Sequence, residues 1–220
     1  APDAAPAAEV AAAAAPDAAP AALAEVSINR SAFGGTWRDG PAQAFWTWSE
    51  ADELGHGSFG RVFRGRCRYQ GGRVVAVKQV ARSAVDDLDQ LFGEIRILSD
   101  LDHPNILRFL EAHQDAKHIY LVTEVCLGGS LQDWLPQVVG CQSFASRVTR
   151  EVAGALVHCH SRGVCHRDLK LENVLLIRKS LDSPVRIADF GLAKRCSQRV
   201  QAQRLRWAEA RSSSWGAPGR

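Results

Sequence analysis

The stretch "CHRDLKLENVLL", residues 165 to 176, places a histidine, an arginine and an aspartate in succession, with an asparagine five residues after the aspartate. The pattern H-R-D-x-x-x-x-N joins a carboxylate that can orient a hydroxyl group and accept its proton, Asp168, to an amide oxygen that can hold a metal ion, Asn173. Downstream, "RIADFGLAK" (186–194) ends a short strand-like run with Asp189, a second oxygen donor for a metal. Each motif is short, and their occurrence together in this order carries the reading.

Working towards the N-terminus, "LGHGSFGRV" (54–62) spaces Gly55, Gly57 and Gly60 as G-x-G-x-x-G. The same spacing opens dinucleotide-binding folds, but there a helix follows the third glycine. Here "RVFRGRCRY" follows and reads as the second strand of a hairpin, which suits a glycine flap whose backbone approaches phosphates closely. The valine-rich "GRVVAVKQV" (72–80) is the next strand. Period two puts Val74, Ala76 and Lys78 on one face, so an adenine can lie against Ala76 while Lys78 reaches phosphate.

A helix is predicted over 83–101, with Leu88, Leu91, Phe92, Ile95, Leu98 and Leu101 on one apolar face and Ser83 with Asp86 as a variant capping box. Glu94 interrupts that face between Leu91 and Leu98. A carboxylate placed there loses roughly several kcal/mol of hydration unless it is neutralised or paired, and Lys78 is the natural partner. Further strands are expected at 106–111, 118–124, 174–177 and 184–188. A second helix fits 143–162, with Phe144, Val148, Val152, Leu156 and Cys159 on one side and Gly163 as its stop.

With these motifs in place, residues from about 50 to 195 resemble a eukaryotic protein kinase domain of the serine/threonine type. The segment "HPNILRFLEAHQDAKHIYLVTEVCLGGSL" is similar to the calcium/calmodulin-dependent and calcium-dependent kinases. The resemblance implies an α+β, two-lobed fold, with a complete N-terminal lobe of five strands and one helix, an incomplete helical C-terminal lobe, and ATP with Mg2+ in the cleft between them. It makes Lys78 the ligand of the α- and β-phosphates, steadied by Glu94, Asp168 the base, Lys170 a neutraliser of the transferred phosphate, and Asn173 and Asp189 the metal ligands. It also puts Thr123 at the gatekeeper position and Glu124 to Cys126 at the hinge beside adenine. Leu54, Val62, Ala76 and Leu175 would enclose the ring, beneath Gly55, Gly57 and Gly60. Leu98, Phe109, His166 and Phe190 match the apolar column of an active kinase. Lys170, two residues after the base, is the serine/threonine signature, which implies a protein substrate with a Ser or Thr acceptor. A non-catalytic nucleotide-binding or scaffold fragment derived from a kinase is the alternative. No D-x-D-x-D-G calcium loop is present in the chain, so its sequence carries no argument for calcium regulation.

Composition frames this core. Residues 1–26 hold 15 alanines and four prolines, with APDAAPAA at 1–8 and again at 15–22, and read as a disordered leader that extends through a transitional segment to about residue 45. Trp37, Trp46 and Trp48 are expected to pack on the domain that follows. The N-terminal lobe is set at 46–126, a partial C-terminal lobe at 127–196 and a basic tail at 197–220. Lys194 and six arginines against Glu209 make the end of the chain basic, while the whole carries a formal charge of +3, unlike a nucleic-acid-binding domain. The six cysteines form no CxxC pair, which suits reduced thiols in the cytoplasm or nucleus, and the crowd of His158, Cys159, His160, Cys165 and His166 lacks zinc-site spacing. No apolar run is long enough to span a bilayer.

After Gly191 the A-P-E triplet and the helices of a kinase floor are expected but do not follow; Ala217-Pro218 is followed by glycine. The chain therefore reads as a kinase cut short, binding Mg-ATP weakly and transferring phosphate poorly. The apolar side of the 143–162 helix is expected to lose its cover, at about 1.5–3 kcal/mol per side chain.

Overall fold

Period two along the valine-rich strand decides how the N-terminal lobe is layered. The computed structural model describes residues 37–57, 60–69, 71–85 and 88–196. That strand, β5 (Val74–Ala81), lies inside a seven-stranded sheet with β1 (Trp37–Asp39), β2 (Trp46–Thr47), β3 (Glu53–Gly57), β4 (Gly60–Cys67), β6 (Phe109–Gln114) and β7 (His118–Thr123). The order is β1-β6-β7-β5-β4-β2, with β3 also paired to β4. Val75 and Val77 point to one side and are fully buried with Ala42, Trp46, Tyr120 and Val122. Val80 points to the other side, against Leu91, Phe92 and Ile95 of α1 (Leu88–Asp100).

Two strands more than the expected five are present: β1, from the segment before residue 46, and β2 at Trp46–Thr47. β1 runs parallel to β6, with Trp37 opposite Ala112, and β2 runs antiparallel to β4. Trp37 meets Phe92 edge-on at 5.6 Å, and Trp48 lies against Phe63 and Tyr120. The tryptophans pack as composition suggests, but the lobe begins by Trp37 rather than at 46. The leader at 1–36 and the tail at 197–220 lie outside the described residues.

Helix α1 is described from Leu88 to Asp100, and Ser83 does not begin it. Arg82–Ala84 forms a 3-10 turn instead, so Ser83 is not the cap, and Asp86 lies outside the described residues. The strand expected at 106–111 begins at Phe109. Ile106 instead bridges in parallel to Ile187, and the Leu107 N–H donates to the Ile187 carbonyl, so this stretch ties the lobes together.

The second lobe contains α2 (Leu131–Val138), α3 (Gln142–Ser161) and three short antiparallel pairings. β8 (Val164–Cys165) pairs with β11 (Lys194–Arg195), β9 (Val174–Leu176) pairs with β10 (Val185–Ile187), and Ser130 bridges to Leu175. Helix α2 is not evident from periodicity, being eight residues with Pro136 inside. Its local signal is a capping box, in which the Ser130 hydroxyl accepts from the Asp133 N–H and the Asp133 carboxylate accepts from the Ser130 N–H. Gly163 stops α3 at φ +69°, as expected.

The apolar side of α3 does not lose its cover. Phe144 and Val148 are buried with Trp134 and Val138 of α2 and with Val174, Leu176 and Val185. Further along, Ala155 and Cys159 are fully buried against Leu101, Ile106, Val164 and Ile187, with Val152 and Leu156 beside them. The expected penalty therefore does not arise on this face: α2, the β9–β10 ribbon and the end of α1 supply the partners.

Candidate active site

A cavity of about 620 Å³ opens between the lobes, within the size range of small-molecule sites. Its upper wall is Leu54, Gly55, Val62, Ala76 and Lys78 from β3 to β5, its back is Thr123 and Leu121 from β7, and its floor includes Leu175. Lys170, Asn173 and Asp189 line the lower side. Cys126 lines the hinge end, where burial pushes its thiol up to about 12, a neutral and unreactive wall.

Lys78 and Glu94 meet as their positions demand. Lys78 Nζ lies 3.5 Å from Glu94 Oε1, with side-chain exposures of 15% and 4%. Burial raises the Glu94 pKa, and the neighbouring ammonium works against that rise. Helix α1 is fastened to the opposite lobe as well, since the Gln90 amide donates to the Gly191 carbonyl at 3.0 Å.

Below the cavity, the residues of the H-R-D-x-x-x-x-N stretch hold one another. The Asn173 amide donates to the Asp168 backbone carbonyl at 2.8 Å and to its carboxylate at 3.1 Å, which turns the amide oxygen of Asn173 away from Asp168. Lys170 Nζ is 3.0 Å from Asp168 Oδ2, and that hydrogen bond holds the Asp168 pKa below the usual carboxylate value. Asp168 is therefore an ionised acceptor at neutral pH. His166 is buried, which lowers its pKa. The neutral ring accepts from the Asp168 N–H at Nδ1 (3.3 Å) and donates from Nε2 to the Ala188 carbonyl at 3.0 Å.

Two non-glycine residues here take left-handed backbone, Arg167 at φ +68° and Asp189 at φ +58°. Such conformations cost about 1–3 kcal/mol each and persist where surrounding contacts impose them. Arg167 is held by donating to the Leu192 carbonyl at 2.6 Å, and Asp189 accepts from the Gly191 N–H at 3.3 Å. The turn at Asp189 sends its carboxylate to the cavity and the next side chain, Phe190, inward to full burial. Phe190 meets His166 edge-on at 4.6 Å and shares a cluster with Leu98, flanked by Phe109. The four-residue apolar column is thus assembled.

Some candidate residues have a different local role. Gly57 and Gly60 pair across the β3–β4 turn. A Cβ on Gly60 would lie 2.1 Å from the Gln79 carbonyl oxygen, so β5 packing alone requires glycine there. Gly55 has open space around it but φ +151°. The Glu124 carboxylate is taken by Arg186 at 2.7 Å and by the Arg108 N–H at 2.9 Å, and its own N–H donates to the Arg108 carbonyl, which leaves its carbonyl, already accepting from the Thr123 hydroxyl, as the group open to a hinge role. His56, Gly129, Asp133 and Glu172 also line the cavity, and no motif in the sequence marks them as a group.

Among the described residues no group of three or more His, Cys, Asp or Glu side chains could hold a metal. Asn173 and Asp189 supply hard oxygen donors on one wall, which fits Mg2+ bound by few protein ligands together with phosphate oxygens.

A family description, protein kinase domain, matches residues 48–219. The chain belongs to the protein kinase domain family. Its fold is accordingly the two-lobed kinase fold, with the sheet lobe above and α2 and α3 below. The family match continues past residue 195, where the motif reading stops, into residues outside the described set. The kinase relatives include calcium-dependent protein kinase 5 of Plasmodium berghei (strain Anka), 36% identical over 148 residues, covering 66% of this chain and 26% of that protein. Calcium/calmodulin-dependent protein kinase type 1 of Macrobrachium nipponense is 39% identical over 145 residues, covering 65% of this chain and 42% of that one. Serine/threonine-protein kinase ULK1 of Homo sapiens is 37% identical over 165 residues, covering 71% and 16%. The chain thus spans less than half the length of each of these relatives. Among the described residues no helix is long and apolar enough to cross a membrane.

Proposed function

We propose that this kinase domain transfers the γ-phosphate of Mg-ATP to a serine or threonine hydroxyl of a protein. The observation that carries the reading is the convergence of the Lys78–Glu94 pair, Lys170, Asn173 and Asp189 on one cavity, with Asp168 bonded to Asn173 and Lys170 at its edge. Adenine fits between Ala76 and Leu175, with the hinge backbone at Glu124 to Cys126 along its edge. Lys78, steadied by Glu94, meets the α- and β-phosphates. Asn173 and Asp189 would hold Mg2+, which neutralises phosphate charge when bound.

The acceptor oxygen attacks the γ-phosphorus as the bond to the β,γ-bridging oxygen breaks, and ADP departs with that oxygen. Asp168 orients the hydroxyl and takes its proton. With its pKa lowered by Lys170, Asp168 is a weak base, so proton transfer comes late and positioning is its main contribution. Lys170 stands where it can also meet the negative charge of the transferred group.

The test is incorporation of labelled γ-phosphate into a basic protein substrate, with phosphoamino-acid analysis, for the chain and for Asp189→Asn. Transfer to serine or threonine that disappears in the variant supports the reading. Nucleotide binding with no transfer by the unsubstituted chain would replace it with that of a non-catalytic nucleotide-binding protein.

A further inference from the structure

The β8–β11 ribbon closes the second lobe directly beneath the catalytic loop, and its facing residues include two thiols. In the antiparallel register Lys194 lies opposite Cys165, and the Cys196 N–H donates to the Gly163 carbonyl at 2.6 Å. Period two therefore returns Cys196 to the ribbon face that Cys165 occupies. Their sulfurs are 2.9 Å apart.

We infer that Cys165 and Cys196 form a redox-sensitive dithiol site that closes to a disulfide under oxidising conditions. An S–S bond is about 2.05 Å long, so under 1 Å of sulfur movement completes it. Both thiols are half-buried and open to a small oxidant, whereas neighbouring Cys159 is fully buried and burial pushes its pKa up to about 11. With glutathione disulfide as oxidant, one protein thiolate attacks a glutathione sulfur and releases one glutathione thiol. The second protein thiolate then attacks the protein sulfur of that mixed disulfide and releases the other. One protein S–S bond replaces the glutathione S–S bond, and the two thiol protons end on the two glutathiones.

The consequence follows from what the bond would enclose. Residues 165 to 196 contain Asp168, Lys170, Asn173 and Asp189, and the ribbon is already closed while the Leu98–Phe109–His166–Phe190 column is assembled. Oxidation therefore locks the closed arrangement rather than opening it. The contacts it reinforces are those of Arg167 with the Leu192 carbonyl and of Arg195 with Asp100 on α1. This inference stands independently of the phosphotransfer reading.

The full chain is equilibrated with glutathione buffers of increasing oxidation, alkylated, digested with trypsin without reduction and mapped by mass spectrometry. The expected product joins Gly163-Val164-Cys165-His166-Arg167 to Cys196-Ser197-Gln198-Arg199, disappears on reduction, and is absent from Cys165→Ser and from Cys196→Ser. Closing a loop of this length should raise Tm by about 5–10 °C in the oxidised chain and in Cys159→Ser, with no rise in the other two variants. A dominant Cys159–Cys165 link, persistent glutathione adducts, or a Cys165–Cys196 link without a rise in Tm would each overturn the inference.

Discussion

Replacing Lys78 by methionine isolates a carboxylate in the core, and the cost can be bounded. At 3.5 Å and an effective dielectric constant near 20, the Lys78–Glu94 attraction is about 5 kcal/mol. Without the ammonium, Glu94 can remain charged or take up a proton. Protonating a carboxyl group whose ordinary pKa is 4.5 requires about 3.4 kcal/mol at pH 7, less than the attraction lost, so the folded variant takes the proton. The destabilisation is therefore at most about 3.4 kcal/mol at pH 7 and about 0.7 kcal/mol at pH 5. The sign is fixed by linkage: a carboxyl neutral when folded and ionised when unfolded binds a proton on folding, so stability falls as pH rises above 4.5. Glu94→Gln should cost only about 1 kcal/mol at pH 7, because Lys78 is partly open to cleft water. The double variant should lose the pH slope and cost less than the two single changes together. Urea unfolding of all three at pH 5, 6, 7 and 8 measures this. A flat pH response for Lys78→Met, or strict additivity, would refute the pairing argument.

Asp168→Asn should lower kcat by about 10²–10⁴-fold while the Kd for Mg-ATP stays within about threefold, measured by phosphate transfer and calorimetry. Gly60→Ala should destabilise by about 1–3 kcal/mol through its clash with the Gln79 carbonyl, seen as a lower Tm. Gly55→Ala, with open space but positive φ, should cost only about 1–2 kcal/mol. Burial pushes the Glu111 pKa up, but hydrogen bonds from His113 and Trp46 outweigh it and bring it down to about 2. The linked stability, on the order of 3 kcal/mol, is present above pH 4.5 and lost as pH falls towards 2; Glu111→Gln should flatten acid unfolding in that window.

What the sequence disclosed depended on whether a signal was local. The strand around Lys78 and the apolar face of α1 follow from periodicity, and Glu94 stands out because it breaks that periodicity. The spacing of Ser83 and Asp86 imitates a helix start, but Ser83 lies inside the 3-10 turn Arg82–Ala84 that follows directly on β5, which runs as far as Ala81. Helix α2 is not legible in the sequence because eight residues containing Pro136 are too few to establish a period. The cover on α3 was unreadable, since which element packs on which face is decided by contacts far apart in sequence. The same holds for Glu124: its motif position suggests the hinge, but only the fold reveals Arg186 beside its carboxylate. Of the cavity lining, the motif-bearing residues were foreseeable, whereas His56 and Asp133 arrive there through the course of the backbone.

The placement of β1 and β2 bears on solubility. Each continues the sheet's hydrogen bonding at one margin, β1 along β6 and β2 along the far end of β4, where unsatisfied amides and carbonyls could otherwise recruit a strand from another molecule. A chain begun at Trp46 would keep the nucleotide cleft but bare the β6 margin together with the surface of Phe92 that Trp37 shields. Self-association, rather than loss of the cleft, would be its first defect.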